Sequence, residues 1–317
     1  MASPHPLPSA SAPQSAAIKM KFWGVRGSIP TPGPTTLHYG GNTSCIEVRA
    51  AGQIIILDAG TGLRLLGREL MAEFGDQPLD LTLLLSHTHW DHIQGLPFFL
   101  PVYQRNNHLR ILGYEGARLG LETVLTSQME SPFFPIGLRE VPANIRIEEL
   151  KEWDFKLGEL EAQACLACHP GVCVGYRLSV AGHSIAFFPD NELRSDSQST
   201  EMIRRRQNWG PSKNGERKLT EFVRGVDVLV MDTQYDAKEY EQHIGWGHGC
   251  LDKVVALALE AQAKRLYLFH HDPNHDDAKI SEMVAHARRL AETSDRGLVV
   301  EAAREGLILE LPTGQTK

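Results

Sequence analysis

"LLLSHTHWDHIQG", from Leu83 to Gly95, is the stretch on which the reading of this chain turns. Its three leucines read as the end of a buried strand. Within the next seven residues come His87, His89, Asp91 and His92, an H-x-H-x-D-H run. Residues two apart on an extended segment project to the same side, so His87 and His89 can share one ion. A loop turning into a helix can then aim Asp91 and His92 toward a second. Two-metal hydrolytic sites hold their ions ~3.5–4 Å apart. Imidazole with carboxylate suits zinc, and also manganese or iron.

Working outward, the same arrangement recurs: an apolar run ends in a residue able to bind metal or carry a proton. "QIIILDAG" ends at Asp58, "HSIAFFPD" at Asp190, "VDVLVMD" at Asp232 and "RLYLFHH" at His270 and His271. Functional residues of α/β proteins gather at the carboxyl ends of strands. Between these runs lie helix-like segments. "TGLRLLGRELMAEFG" places Leu63, Leu66, Leu70 and Phe74 on one face. "RLGLETVLTSQM", "LDKVVALALEAQAK" and "DAKISEMVAHARRLAE" also read as helices, and polar helices are expected through Arg194–Arg224. The middle of the chain is strand-rich, with "IRIEEL", "FKLGELEAQACLA" and "CVGYRLSVA"; "LVVEAA" and "LILEL" close it. The expected class is α/β, with two mixed β-sheets packed face to face and helices on the outside.

The chain has 317 residues, of which 42% are hydrophobic and 22% charged, the balance of a globular enzyme. No apolar run approaches the ~20 residues needed to span a bilayer. Residues 1–17, "MASPHPLPSASAPQSAA", have neither a basic n-region nor an apolar core and read as a disordered tail, with a single domain over 18–317. A cytoplasmic location follows as the expectation. The net charge of −7 argues against a broad basic surface for extended nucleic acid. Arg204, Arg205, Arg206, Lys213, Arg217 and Lys218 are interleaved with Glu201 and Glu216 and read as a solvated helix face.

Among five cysteines, Cys165, Cys168 and His169 match a C-x-x-C-H haem-attachment pattern. Covalent haem attachment normally needs export, so small buried strand residues is the preferred reading. A zinc knuckle from Cys165, Cys168 and Cys173 is a further option.

The His87–His92 run resembles the signature of the metallo-β-lactamase-fold hydrolases, and the remaining motifs of that family appear in order: Asp58 in "LDAGTG", His169 in "CHPG", Asp190 in "AFFPDN" and His270 in "LYLFHHDP". The resemblance implies an αβ/βα four-layer sandwich with the site at one edge. It implies that His87, His89 and His169 hold one divalent metal ion, that Asp91, His92 and His270 hold a second, and that Asp190 bridges them. Zinc is the first candidate for both. His270 is preferred over its neighbour His271 as the ligand. A Pro, Pro189, stands where the family usually has Gly before the bridging aspartate.

"FWGVRGSIPTPGP" and "HYGGNTSCIEV" are similar to the opening strands of the phosphodiesterase branch, which includes tRNA 3′-processing endonucleases and small cyclic-phosphate phosphodiesterases. "MDTQY" followed by "GWGHG" resembles that branch's paired acid and histidine. His248 is thus expected to be the general acid, with Asp232 orienting it, while Asp91 both ligates and orients the nucleophile, a hydroxide between the metals. Arg26 is a candidate cation for the phosphoryl oxygens. The tRNA endonucleases need an extra tRNA-gripping arm between the third and fourth motifs. Here His169 and Asp190 stand only 21 positions apart. The expected substrate is therefore a small phosphodiester, cyclic phosphates included, with no extended nucleic acid or membrane partner. Lactone or carboxylic-ester hydrolysis and RNA 3′-end processing are the alternatives, and the resemblance also implies a homodimer.

Overall fold

Parallel strands buried on both faces need near-continuous apolar runs, and the runs noted above supply them. In a computed structural model describing residues 17–114, 120–193 and 213–312, they assemble into two seven-stranded sheets. The strands are β1 (Ile18–Gly24), β2 (Cys45–Ala50), β3 (Gln53–Leu57), β4 (Asp80–Leu84), β5 (His108–Gly113), β6 (Asn144–Glu149) and β7 (Asp154–Leu157). They continue with β8 (Leu160–Leu166), β9 (Val174–Val180), β10 (His183–Phe188), β11 (Val228–Asp232), β12 (Arg265–Phe269), β13 (Val299–Ala302) and β14 (Ile308–Leu311). The first sheet runs β14-β1-β2-β3-β4-β5-β6 and the second β13-β12-β11-β10-β9-β8-β7.

Each sheet is mixed, as expected. In the first, β3 to β6 are parallel and the rest antiparallel. In the second, β10 to β13 are parallel and β7 to β10 antiparallel. The parallel ends of β3 and β4 therefore lie side by side, as do those of β10, β11 and β12. Asp58 follows β3, His87 lies just past β4, Asp190 just past β10, Asp232 ends β11 and His270 follows β12.

Between the sheets lies a core that includes Phe22, Tyr176, Phe187, Tyr267 and Phe269, with the Phe22 and Tyr267 rings 5.5 Å apart. The outer layers are helical. Helix α1 (Gly62–Phe74) buries Leu63, Leu66 and Leu70 on the first sheet. Each such side chain is worth roughly 1.5–3 kcal/mol on burial. The same sheet carries α2 (Trp90–Ile93) beyond β4, and α3 (Leu121–Ser127) packs in the same cluster as α1. On the second sheet pack α4 (Lys213–Phe222), α6 (Leu251–Glu260) and α7 (Asp277–Glu292), with the short α5 (Ala237–His243) between α4 and α6 in the chain. The result is the four-layer αβ/βα sandwich.

Three local expectations are adjusted. "FKLGELEAQACLA" is a hairpin rather than one strand, because Gly158, at φ 60°, turns β7 back into β8. His270 is not part of a strand: β12 stops at Phe269, and His270 adopts φ 60°. Of the expected polar helices, 213–222 is helical, while 194–212, including Arg204–Arg206, lies outside the described residues. So does 1–16 of the expected tail; Ala17 is already buried and donates its N–H to Leu311 O at 2.8 Å. No helix among the described residues is long and apolar enough to cross a membrane.

Candidate metal centre

Strand ends and the loops after them bring the expected residues to one rim. His87, His89, His169 and Asp190 each offer a ligand atom within 4.8 Å of the others, and Asp91, His92 and His270 form a second such group. Asp190 stands between the two. Its Oδ2 lies 3.6 Å from His87 Nε2 and 3.6 Å from His169 Nε2. Its Oδ1 lies 3.1 Å from His92 Nε2 and 3.2 Å from His270 Nε2. On the second side Asp91 Oδ2 approaches the same two nitrogens, at 3.0 Å and 3.1 Å. On the first, His169 Nε2 and His89 Nδ1 are 3.1 Å apart. His89 alone of these side chains is exposed.

These residues have the chemistry of a cation site. His87 Nε2, His92 Nε2 and Asp190 Oδ1 are buried and make no hydrogen bond among the described residues. Orphaned buried polar atoms are costly unless something else satisfies them. Burial holds the His87 imidazole well below its ordinary pKa and takes His169 down to about 4, so both are neutral donors. Burial alone would raise Asp190, but the surrounding imidazoles, His270 first, hold its carboxyl well below the usual carboxylate range. Around His92, the charges of Asp91, Asp190 and Asp58 outweigh burial and raise its pKa. The cluster thus carries buried negative charge that divalent cations would neutralise.

A further set of contacts orients the histidines, as metal-binding imidazoles require. Asp58 is fully buried and receives bonds from His92 Nδ1 at 2.7 Å, Ser44 Oγ, Ser86 Oγ and Ser86 N. His270 Nδ1–H donates to Gln234 Oε1 at 2.9 Å, and Gln234 Nε2 donates on to Asp272 Oδ2. His169 Nδ1–H donates to Gly247 O at 3.0 Å. Ser28 N donates to Asp91 Oδ2. Both Asp58 and His270 have φ near 60°, the left-handed region in which L-residues are strained by about 1–3 kcal/mol. Such strain persists where the surroundings over-determine the conformation.

His248 stands beside this rim with Nδ1 3.0 Å from Asp232 Oδ2, and its ring stacks on His270 at 5.0 Å. Burial would lower its pKa, yet Asp232 foremost and then Asp190 and Asp91 raise it to about 9. Its Nδ1 is also 3.8 Å from Asp190 Oδ2. Asp232 claims Nδ1, and Nε2 makes no hydrogen bond among the described residues. Asp232 is itself fully buried and fixed by the N–H groups of Gln234 and Asn191.

Other expectations fall differently. Arg26 is completely buried, and its guanidinium donates to Gly40 O, Asp272 O and His275 O, so it ties loops together and does not face a substrate. His271 points away to Ala303 O, and burial drives its pKa down to about 3. The groups of side chains close enough to share an ion contain no cysteine among the described residues, and His169 belongs to the Asp190 cluster, against both the haem and the knuckle readings. In the "MESPFFPIGL" segment, Phe133 is exposed while Met129 and Leu138 are buried. Gln234 and Glu192 were not foreseen. Gln234 was within reach, since it stands in the "MDTQY" run that already marked Asp232.

Comparison with known proteins agrees with this picture. A family model described as "Beta-lactamase superfamily domain" matches residues 53–271. The ribonuclease Z of Picrophilus torridus is 25% identical over 295 residues, covering 84% of this chain and 89% of that one. A diphosphatase of the PhnP family superposes with a TM-score of 0.61 at 18% identity, covering 93% and 98% of the two chains. Human tRNase Z, short form, superposes with a TM-score of 0.60 at 17% identity, covering 93% and 99%.

Proposed function

The chain belongs to the beta-lactamase superfamily, and on that premise we propose that it is a metal-dependent hydrolase of phosphodiesters, acting on a small diester. The observation that carries the reading is the His248–Asp232 pair beside a double nest of histidines divided by Asp190. On this reading, residues 18–317 are one domain organised around it. The relatives named for ribonuclease Z and the neighbour named as a diphosphatase support phosphate chemistry over lactone or carboxylic-ester cleavage.

His87, His89, His169 and Asp190 would hold one divalent ion, and Asp91, His92, His270 and Asp190 a second, with zinc the first candidate for both. Bound there, such ions bring the pKa of water toward ~7 and neutralise charge on phosphoryl oxygens. The protein's own groups do the rest. Asp58, Gln234 and the Gly247 carbonyl hold the imidazoles in one tautomer and one orientation. Asp232 keeps His248 protonated at Nδ1 and turns Nε2 outward. That Nε2–H delivers a proton to the departing alkoxide oxygen, a contribution on the order of 10²–10⁴ in rate.

Small substrates are favoured because β9, β10 and the turn at Ala181–Gly182 take up most of the interval between His169 and Asp190. A second reading, RNA 3′-end processing, is supported by the ribonuclease Z relatives, whose likeness spans 84% of the chain. One assay separates them. Metal-loaded protein is given bis-nitrophenyl phosphate, 2′,3′-cyclic nucleotides, a lactone and a precursor tRNA. Turnover of the phosphodiesters alone supports the proposal, preferential tRNA cleavage selects the second reading, and lactone turnover alone overturns both.

A further inference from the structure

Glu192 is 1% exposed, two positions after the central Asp190, and nothing in the chemistry above uses it. A buried carboxylate is costly unless several donors reach it. Three do so from one short stretch. Oε1 accepts from Gly245 N at 2.8 Å and from Tyr240 Oη at 2.9 Å, and Oε2 accepts from Gly247 N at 2.9 Å. Its own N–H donates to Cys168 O, one residue before His169. A single residue, through its backbone and its carboxylate, therefore joins the end of β10, the His169 loop and the loop that carries His248.

Gly247 has φ 93°, and a Cβ there would stand 2.1 Å from Pro170 Cδ and 2.5 Å from His169 Nδ1. Only a bare backbone can approach His169 so closely. The Trp246–Gly247 peptide gives its N–H to Glu192, while the carbonyl of the next peptide, Gly247–His248, receives His169 Nδ1–H at 3.0 Å. His169 is thereby left with an unprotonated Nε2 turned toward Asp190 Oδ2, and His248 follows Gly247 directly onto Asp232.

We propose that Glu192 is a positioning residue that acts through the Gly245–Gly249 loop, setting the tautomer of His169 and the placement of His248 together. This rests on the reading of His169 as a metal ligand and His248 as the proton donor. Glu192→Gln keeps the shape but turns an NH₂ toward one of the N–H donors. Outer contacts of this kind typically change metal affinity or activity by 10–100-fold when lost.

The test is chelator competition with Zn²⁺ on the parent, Glu192→Gln, Tyr240→Phe and His169→Ala, beside turnover of a nitrophenyl and an alkyl phosphodiester. Glu192→Gln should bind one of two metal equivalents about 10–100-fold more weakly. At saturating metal its kcat should fall further for the alkyl than for the nitrophenyl ester, with KM little changed. Tyr240→Phe, which removes one donor to the same carboxylate, should move both readouts the same way by less, and decides the matter should Glu192→Gln fail to fold. If Glu192→Gln, or in its place Tyr240→Phe, binds both equivalents like the parent while His169→Ala loses one, the inference is wrong and the ligand reading stands. If His169→Ala keeps both, the ligand reading falls and takes the inference with it.

Discussion

Asp232 Oδ2 lies 3.0 Å from His248 Nδ1, and this bond sets both the tautomer and the charge of the imidazole. If His248 protonates the leaving group, its removal should matter in proportion to how much protonation is needed. His248→Ala should retain its metals and lose about 10²–10⁴ in kcat on an alkyl phosphodiester. The loss should shrink to a few-fold on a nitrophenyl ester, whose leaving group departs without help. Steady-state kinetics on the two esters checks this; equal losses on both would remove the acid role.

The same bond predicts a pH effect with a definite sign. Asp232 is the foremost group raising the pKa of His248. A proton donor works only below its pKa, so the alkaline limb of kcat reports its loss. Asp232→Asn removes the charge, lowers the pKa of His248 and should move that limb to lower pH. Bound cations lower the starting point without altering the direction. A limb that stays in place would mean that another group titrates there.

Asp58 touches no candidate ion position, yet its carboxylate holds His92 Nδ1 at 2.7 Å. Asp58→Asn can still accept that bond through its one oxygen, but it loses the charge and turns an NH₂ toward Ser86 N, which now donates to Oδ1. It should weaken metal retention by roughly 10–100-fold, read by metal content after dialysis against a weak chelator. Unchanged retention would reduce Asp58 to a turn former.

Arg26 separates stability from chemistry. Its guanidinium satisfies the carbonyls of Gly40, Asp272 and His275. Arg26→Met should cost ~2–4 kcal/mol, because hydrogen bonds to a charged group are lost and carbonyls are left buried. Turnover per folded, metal-loaded molecule should change only a few-fold. Chemical denaturation beside kinetics decides it: intact stability with kcat lowered by 10² or more would return Arg26 to the substrate.

What was legible in the sequence was what the chain encodes locally. His87 to His92 sit on one turn after one strand, and apolar runs ending in Asp58, Asp190 and Asp232 mark strand ends irrespective of partners. The parallel pairing of β3 with β4, of β10 with β11 and of β11 with β12 then brings those ends together. His270 and His271 were harder, because strand alternation does not apply past Phe269, where the chain turns left-handed. Arg26 looked available as a loop cation, since its carbonyl partners at Gly40, Asp272 and His275 come from distant segments. Glu192 was hidden in part for a related reason: two of its donors are the backbone N–H groups of Gly245 and Gly247, and a backbone group carries no residue-type signal.

The division of Asp190 between two histidine nests is the relation on which the account depends. Crystals of the parent protein grown with zinc, with anomalous diffraction recorded at the zinc edge, test it directly. The account predicts two peaks flanking the Asp190 carboxylate, one against His87, His89 and His169 and the other against Asp91, His92 and His270. A single peak, or zinc bound away from Asp190, would contradict it.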